Sequence, residues 1–222
     1  LQSHALHIHL LAAPDFFGCT SVVDLAAKDA EAVRRGLRLQ TLGNELIALF
    51  GARAVHPVGV TVGGFHHAPS LDDVADMRAR LNAAREDAEA LVRWTAKLPL
   101  PDDEQDFVSV AMRHPDEYAI HRGRLVTSLG HDLDISEFDK HFQESHAPHS
   151  TALHAHLDGK PYLVGPLARM NLNYDQMPAE LPGLLEQLGF RFPSRNMFHS
   201  IVARAAEVWL VVDEAERLLS EY

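Results

Sequence analysis

The chain has 222 residues, a formal net charge of −11 and 46% apolar residues, which is enough for one sizeable domain with a buried core. The acidic surface excludes nucleic acid as an expected partner, and no stretch approaches the roughly 20 apolar residues of a membrane span. A single cysteine, Cys19, excludes an internal disulfide or a multi-cysteine metal site within the chain and favours a reducing, cytoplasmic location.

The first half of the chain is predicted to be mainly helical. Ser3 can cap a helix over residues 3–13 that Pro14 ends, and a second helix is expected over residues 24–49. Residues 51–69 then break the helical pattern with glycines, prolines and a Val-x-Val alternation. This break predicts a strand and a tight loop.

A long amphipathic helix is expected from Ser70 to Leu98. Its apolar and small residues recur at alternating steps of three and four, which places them on one buried stripe. Asp72 and Asp73 in its first turn suit the positive end of the helix dipole. Pro99 ends the pattern.

The second half of the chain is predicted to contain strands as well as helices. The pattern predicts extended segments at 107–112 and 118–129, a short helix at 134–142, two strands around an Asp158-Gly159 turn, and helices at 178–188 and 197–219. The expected fold class is therefore α+β, mainly α, with long helices and a small β-rich insert. We expect a single domain over residues 1–222, helical over 1–98, β-rich over 107–172 and helical again over 178–222.

A group of histidines is the main candidate for a metal site. The chain has 15 histidines, and five of them fall close together: His141, His146, His149, His154 and His156. His154 and His156 are two apart on a predicted strand, so both point to one face. Imidazoles that converge from a strand suit zinc or nickel, and Asp158 or Glu144 can add a carboxylate. Their spacing matches no closed metal motif, so a polar His-rich loop without a metal is the competing interpretation.

Two histidines near the start, His4 and His7, lie three apart on one predicted helical face. Two ligands are too few for a metal site. Hydrogen bonding inside a core is the favoured interpretation.

Several stretches together resemble the large (alpha) subunits of nickel–iron hydrogenases. They are QSHALHIHLLAAPDF at 2–16, GARAVHPVGVTVGGF at 51–65, YLVGPLARMNL at 162–172 and the helix MFHSIVARAAEVWLVVDEAERLL at 197–219. The sequence around His56 is most similar to that of the cytoplasmic, multi-subunit branch of the family, which includes the sulfhydrogenases. The resemblance covers essentially the whole chain.

This resemblance implies that the chain belongs to a longer large subunit. In this family the large subunit reversibly oxidises dihydrogen to protons and electrons at a nickel–iron centre, and an iron–sulfur small subunit carries the electrons away. Two Cys-x-x-Cys pairs hold the metals in the family; neither is present here, and Cys19 matches none of those cysteines. Residue 1 is Leu rather than Met, so we expect an internal segment that alone binds no nickel–iron centre and is inactive.

The resemblance also suggests structural roles for two residues. His56 is expected to orient the interface with the small subunit, and Arg169 to anchor the segment after the predicted hairpin; neither is expected to be catalytic. A segment cut from a larger core should expose apolar surface and self-associate. The run from Trp209 to Val212, apolar all round, is the expected site of that exposure.

Two alternatives remain open from the sequence. A metal-free protein similar to the quinone-site subunit of respiratory complex I would share the fold without the cysteines. A small His-rich metal-binding module with no redox role would explain the histidines alone. Paired cysteines in the flanking sequence would favour the hydrogenase.

Overall fold

A computed structural model describes all residues from Leu1 to Tyr222. The chain divides into two compact units, which are Leu1–Leu100 with Arg204–Tyr222 (unit 1) and Pro101–Ala203 (unit 2). Helices dominate and the sheets are small, which confirms the α+β, mainly α fold class. The single domain stays a prediction. None of the helices combines the length and apolar character needed to cross a membrane.

Unit 1 begins with a helix that continues past its proline. Helix α1 (Gln2–Leu6) leads into a π-helical segment (His7–Ala12) and then into α2 (Ala13–Phe16). The prediction that Pro14 ends the helix is wrong. Pro14 lies in the first turn of α2, where its missing N–H costs nothing, and the wider π-helical turn precedes it.

The second predicted helix is two helices. Helix α3 (Val22–Lys28) and helix α4 (Ala30–Gly51) are separated at Asp29, whose backbone is non-helical with φ −142° and ψ 76°. The Asp29 carboxylate accepts a hydrogen bond of 3.0 Å from the Ala32 N–H and so caps α4. One uninterrupted helix from 24 to 49 is therefore incorrect.

The hairpin and the long helix that follow in unit 1 agree with the sequence pattern. Strands β1 (Val60–Thr61) and β2 (Gly64–Phe65) form a short antiparallel hairpin. Helix α5 (Leu71–Thr95) is the longest in the chain at 25 residues, and the Ser70 hydroxyl caps it by accepting from the Asp73 N–H. The predicted long helix and its buried stripe are thus confirmed; the stripe comprises Val74, Met77, Leu81, Ala84, Ala88, Leu91 and Thr95.

Unit 2 is built from short strands and short helices. They are β3 (Val108–Arg113), β4 (Arg124–Thr127), β5 (Asp132–Leu133), a 3₁₀ turn (Ile135–Glu137), α6 (Phe138–His141), β6 (Phe142–His146), β7 (Leu153–Leu157), β8 (Tyr162–Leu163), α7 (Pro166–Asn173), a 3₁₀ turn (Tyr174–Gln176) and α8 (Glu180–Gln187). One sheet has the order β5-β4-β3-β8, with β8 parallel to β3 and the other pairs antiparallel. A separate antiparallel pair joins β6 to β7.

The strand pairing in unit 2 differs from the prediction in one respect. The turn at Asp158-Gly159 forms, but the chain after it pairs with β7 only at the Leu157–Lys160 bridge and then joins β3 as β8. Pro161 has no N–H to continue the pairing. Strand β7 pairs instead with β6, a strand that the sequence pattern did not indicate.

The last helix follows a 3₁₀ turn (Met197–His199) and is α9 (Ser200–Ser220). Within it Leu210 and Val212 are buried, at 8% and 0% exposure. The expectation that the run Trp209–Val212 is the main exposed apolar surface is therefore wrong. Large apolar side chains are exposed instead around the β1–β2 hairpin, at Val55, Val58, Val60, Val62 and Phe65.

Candidate functional site

The register of β6 and β7 decides which predicted ligand histidines share a face. His156 lies opposite Gln143 and His154 lies opposite Ser145, so both histidines are on one face, as their spacing predicts. His146 pairs with Leu153 and is on the other face. The hairpin therefore separates His146 from the pair.

The remaining two histidines of the predicted group, His141 and His149, contact different partners. The rings of His149 and His154 meet edge to face, with their centroids 5.6 Å apart. His141, at the end of α6, turns towards a different histidine, His131, whose ring centroid is 5.6 Å away. The five histidines do not converge on one point.

A smaller cluster forms where His131, His141 and Asp158 meet. His141 Nδ1 lies 3.1 Å from Asp158 Oδ1, and His131 Nε2 lies 3.5 Å from Asp158 Oδ2. One ligand atom from each residue falls within 4.8 Å of the others. Both imidazoles are largely covered, with side-chain exposures of 29% and 28%, while the carboxylate is 47% exposed. The carboxylate is therefore the member of the cluster that is most open to solvent.

The core of unit 2 holds these three residues in place. Leu133, Phe142 and Leu157 are buried together, and each is one or two positions away from one member of the cluster. A backbone hydrogen bond of 2.8 Å from the Asp158 N–H to the His141 carbonyl fixes the end of α6 against the turn. Local packing, rather than sequence proximity, therefore assembles the cluster.

Contacts behind His131 set the orientation of its ring. Its Nδ1 lies 3.1 Å from the Thr127 hydroxyl. The backbone of the same two residues is joined by a bond from the Thr127 N–H to the His131 carbonyl. Nε2 is consequently the nitrogen that faces Asp158.

The third member sits in a tight turn. Asp158 and Gly159 both have positive φ, at 47° and 76°, and reciprocal backbone bonds of 2.9 Å join Leu157 to Lys160. This is the geometry of a two-residue type I′ turn, which favours Asp or Asn before Gly. The turn projects the carboxylate between the two imidazoles.

The sequence suggested only part of this cluster. His141 was in the predicted group and Asp158 was named as an added carboxylate, whereas His131 was missed. Its position depends on the β4–β5 pairing. A short-range signal was available in Gly130, whose φ of 90° permits the tight return that precedes His131.

The two residues with expected structural roles lie in different units. The loop that holds His56 folds back on α4, since the Gly51 carbonyl accepts hydrogen bonds from the Val58 and Gly59 N–H groups. His56 is exposed, and its carbonyl accepts a 2.6 Å bond from Arg53 Nε. Arg169 is half-buried in the first turns of α7, where its N–H bonds the Gly165 carbonyl. Their roles stay predictions.

Two histidines of the first helical segment, His4 and His9, pack inside unit 1, and His9 is the buried one. His4 Nε2 lies 2.6 Å from a carboxylate oxygen of Glu207 on α9, in keeping with the expected hydrogen bonding. His9 is fully buried and its ring stacks on Trp94 at 5.1 Å, with neither ring nitrogen in a hydrogen bond within the chain. Burial, with a smaller contribution from the charge of Arg35, lowers the pKa of His9 to about 3. His9 is therefore a neutral core residue.

The chain is similar to known hydrogenase subunits in both sequence and fold. No protein-family model matches the chain. It is 28% identical to the sulfhydrogenase 1 subunit alpha of Pyrococcus furiosus and 26% identical to the sulfhydrogenase 2 subunit alpha of the same organism, in each case over 100% of the chain. It spans about half of these relatives, 52% and 51% of their lengths. The fold matches a crystal structure of an NAD⁺-reducing [NiFe]-hydrogenase with a TM-score of 0.82 and 24% identity, covering 99% of the chain and 55% of that protein.

Proposed function

Because the chain is a homologue of nickel–iron hydrogenase large subunits, we propose that it forms part of the large subunit of such an enzyme, which reversibly oxidises dihydrogen to protons and electrons. The observation that carries this proposal is the match of the whole chain to about half of two sulfhydrogenase alpha subunits. The shared fold supports it independently of the sequence identity.

The donor atoms of the chain do not fit a nickel–iron centre. Such a centre needs soft, anionic thiolate ligands in the family pattern of two Cys-x-x-Cys pairs. The chain contains one cysteine, Cys19, and its thiol faces the Phe17 carbonyl at 3.7 Å. We propose that the thiolates of the working enzyme come from polypeptide outside these 222 residues, and that the chain alone is inactive.

The partner of the working enzyme is proposed to be an iron–sulfur small subunit, with the complex located in the cytoplasm. The exposed apolar side chains around the β1–β2 hairpin support a contact surface on unit 1 next to His56. Val62 is completely exposed, and Val55 is 68% exposed. Burying such side chains against a partner would remove apolar area from water.

The test of His56 separates a positioning role from a catalytic one. In the intact enzyme, His56→Ala should weaken assembly with the small subunit while the assembled fraction keeps its hydrogen-uptake rate. Arg53→Ala is the matched control for loop folding, because it removes the bond to the His56 carbonyl and leaves the imidazole. Loss of hydrogen splitting with normal assembly and metal content would make His56 catalytic and overturn this role.

The proposed function itself is tested on the intact polypeptide that contains the chain. We expect its sequence to carry one Cys-x-x-Cys pair before residue 1 and another after residue 222, and the purified protein to bring an iron–sulfur subunit with it. An intact polypeptide without those pairs would favour the metal-free alternative related to the quinone-site subunit. The proposal would then be wrong.

A further inference from the structure

We propose that His131, His141 and Asp158 form a binding site for a divalent transition metal of the zinc type, separate from any nickel–iron centre. The site lies wholly within unit 2 and uses two imidazoles and one carboxylate. It goes beyond the proposed hydrogenase function and does not depend on it.

The distances between the donor atoms suit a single small cation. Zinc–nitrogen and zinc–oxygen bonds of about 2.0–2.1 Å put the ligand atoms of a tetrahedral site about 3.3 Å apart. His141 Nδ1 lies 3.1 Å from Asp158 Oδ1 and His131 Nε2 lies 3.5 Å from Asp158 Oδ2, so each imidazole is already at about that distance from one oxygen of the carboxylate. One donor atom from each of the three residues lies within 4.8 Å of the other two, so side-chain rotation would bring the three donors around a single ion.

The surrounding contacts preorganise two of the three ligands. The Thr127 hydroxyl lies against His131 Nδ1, which leaves Nε2 facing the centre of the cluster. The type I′ turn holds Asp158, and its N–H bond to the His141 carbonyl couples these two ligands. Hydrogen bonds of this kind orient metal ligands and raise metal affinity.

The donor set indicates which metals fit. Two imidazoles with one carboxylate favour zinc and neighbouring transition metals over magnesium or calcium, which prefer oxygen ligands throughout. Three protein ligands leave at least one position for water, on the side where the carboxylate is 47% exposed. Bound metal would join the loop before β5, the end of α6 and the turn after β7.

The experiment is calorimetric titration of the untagged full chain with Zn²⁺ alone. We expect one Zn²⁺ per chain in the wild type, and at least about a tenfold loss of affinity in His131→Gln, His141→Gln and Asp158→Asn, since even changes behind a metal ligand cost 10–100-fold. Asp158→Asn is the most informative variant. Asn before Gly favours the same type I′ turn, so the fold is kept while the anionic ligand is lost.

The matched control is the double variant His154→Gln and His156→Gln. These histidines belong to the same β-rich region but not to the cluster, so their replacement should leave the affinity unchanged. The proposal is overturned if the wild type binds no stoichiometric Zn²⁺, if Asp158→Asn binds as tightly as the wild type, or if the control lowers the affinity as much as the cluster variants do.

Discussion

Replacing Gly36 by alanine is expected to destabilise unit 1, although alanine is the better helix former. Gly36 lies in α4 and faces His9 across the packed helices. A Cβ atom added at Gly36 would lie 2.4 Å from the Cβ and Cγ atoms of His9. The imidazole has no room to retreat, because it is fully buried and stacked on Trp94.

Two opposing effects set the magnitude. Alanine in place of glycine in a helix interior gains about 1 kcal/mol of stability. Overpacking in a close-packed core typically costs about 1–3 kcal/mol, and contact with the rigid base of a side chain puts Gly36→Ala at the upper end of that range. We expect a net loss of about 1–2 kcal/mol in the free energy of unfolding.

Gly183→Ala provides the matched control. Gly183 is also helical, in α8, but an added Cβ would meet no atom within 4 Å. That variant should be neutral or more stable by up to about 1 kcal/mol, from helix propensity alone.

The assay is urea denaturation followed by circular dichroism, with tryptophan fluorescence as a second probe, because Trp94, one of the two tryptophans, stacks on His9. Gly36→Ala should lower the transition midpoint and alter the tryptophan emission, and Gly183→Ala should do neither. A Gly36→Ala variant as stable as the Gly183→Ala variant would refute the packing of α4 against the first helix as described.

Further predictions concern other features of unit 1. The pKa of His9 falls from about 6.5 in an unfolded chain to about 3 when folded, so the unfolded state binds more protons between these values and stability should fall as the pH drops from 6.5 towards 3, by up to about 5 kcal/mol. His9→Phe should remove this part of the pH dependence in urea titrations, and an unchanged profile would contradict the neutral buried imidazole. Asp29→Ala should cost about 1–3 kcal/mol, measured in the same way, because it removes a helix cap and the acceptor of the Trp94 indole bond, whereas wild-type stability would argue against that cap. The isolated chain should self-associate through its exposed hairpin, so Val62→Ser should reduce hydrophobic-dye binding and association in light scattering; an equal effect of Val23→Ser, at another exposed valine, would remove the hairpin from this role.

Helices whose signals are local could be predicted from the sequence. The three-four spacing of α5 and its predicted start at Ser70 are both read within one stretch of chain; the helix is present and begins at Leu71, with Ser70 as its cap. The break between α3 and α4 could not be found in this way. The Asp29 carboxylate caps α4 and also accepts a bond from the Trp94 indole, 65 positions along the chain, a contact that a local pattern does not contain.

The candidate metal site shows the same limit. The shared face of His154 and His156 follows from the two-residue repeat of a strand and was predictable. The position of His131 was not, because it depends on the β4–β5 pairing and on the packing of Leu133 with the end of β7. Residue types in one segment cannot reveal contacts that pairing between segments creates.

The most direct test of the proposed function is hydrogen uptake with an artificial electron acceptor, measured together with nickel and iron content. The intact polypeptide that contains the chain, purified with its small subunit, should contain both metals and take up hydrogen. The 222-residue chain alone, without a histidine tag, should do neither, because Cys19 is its single thiol. Stoichiometric nickel and iron with measurable uptake in the chain alone, or an intact complex with neither metals nor uptake, would contradict the account.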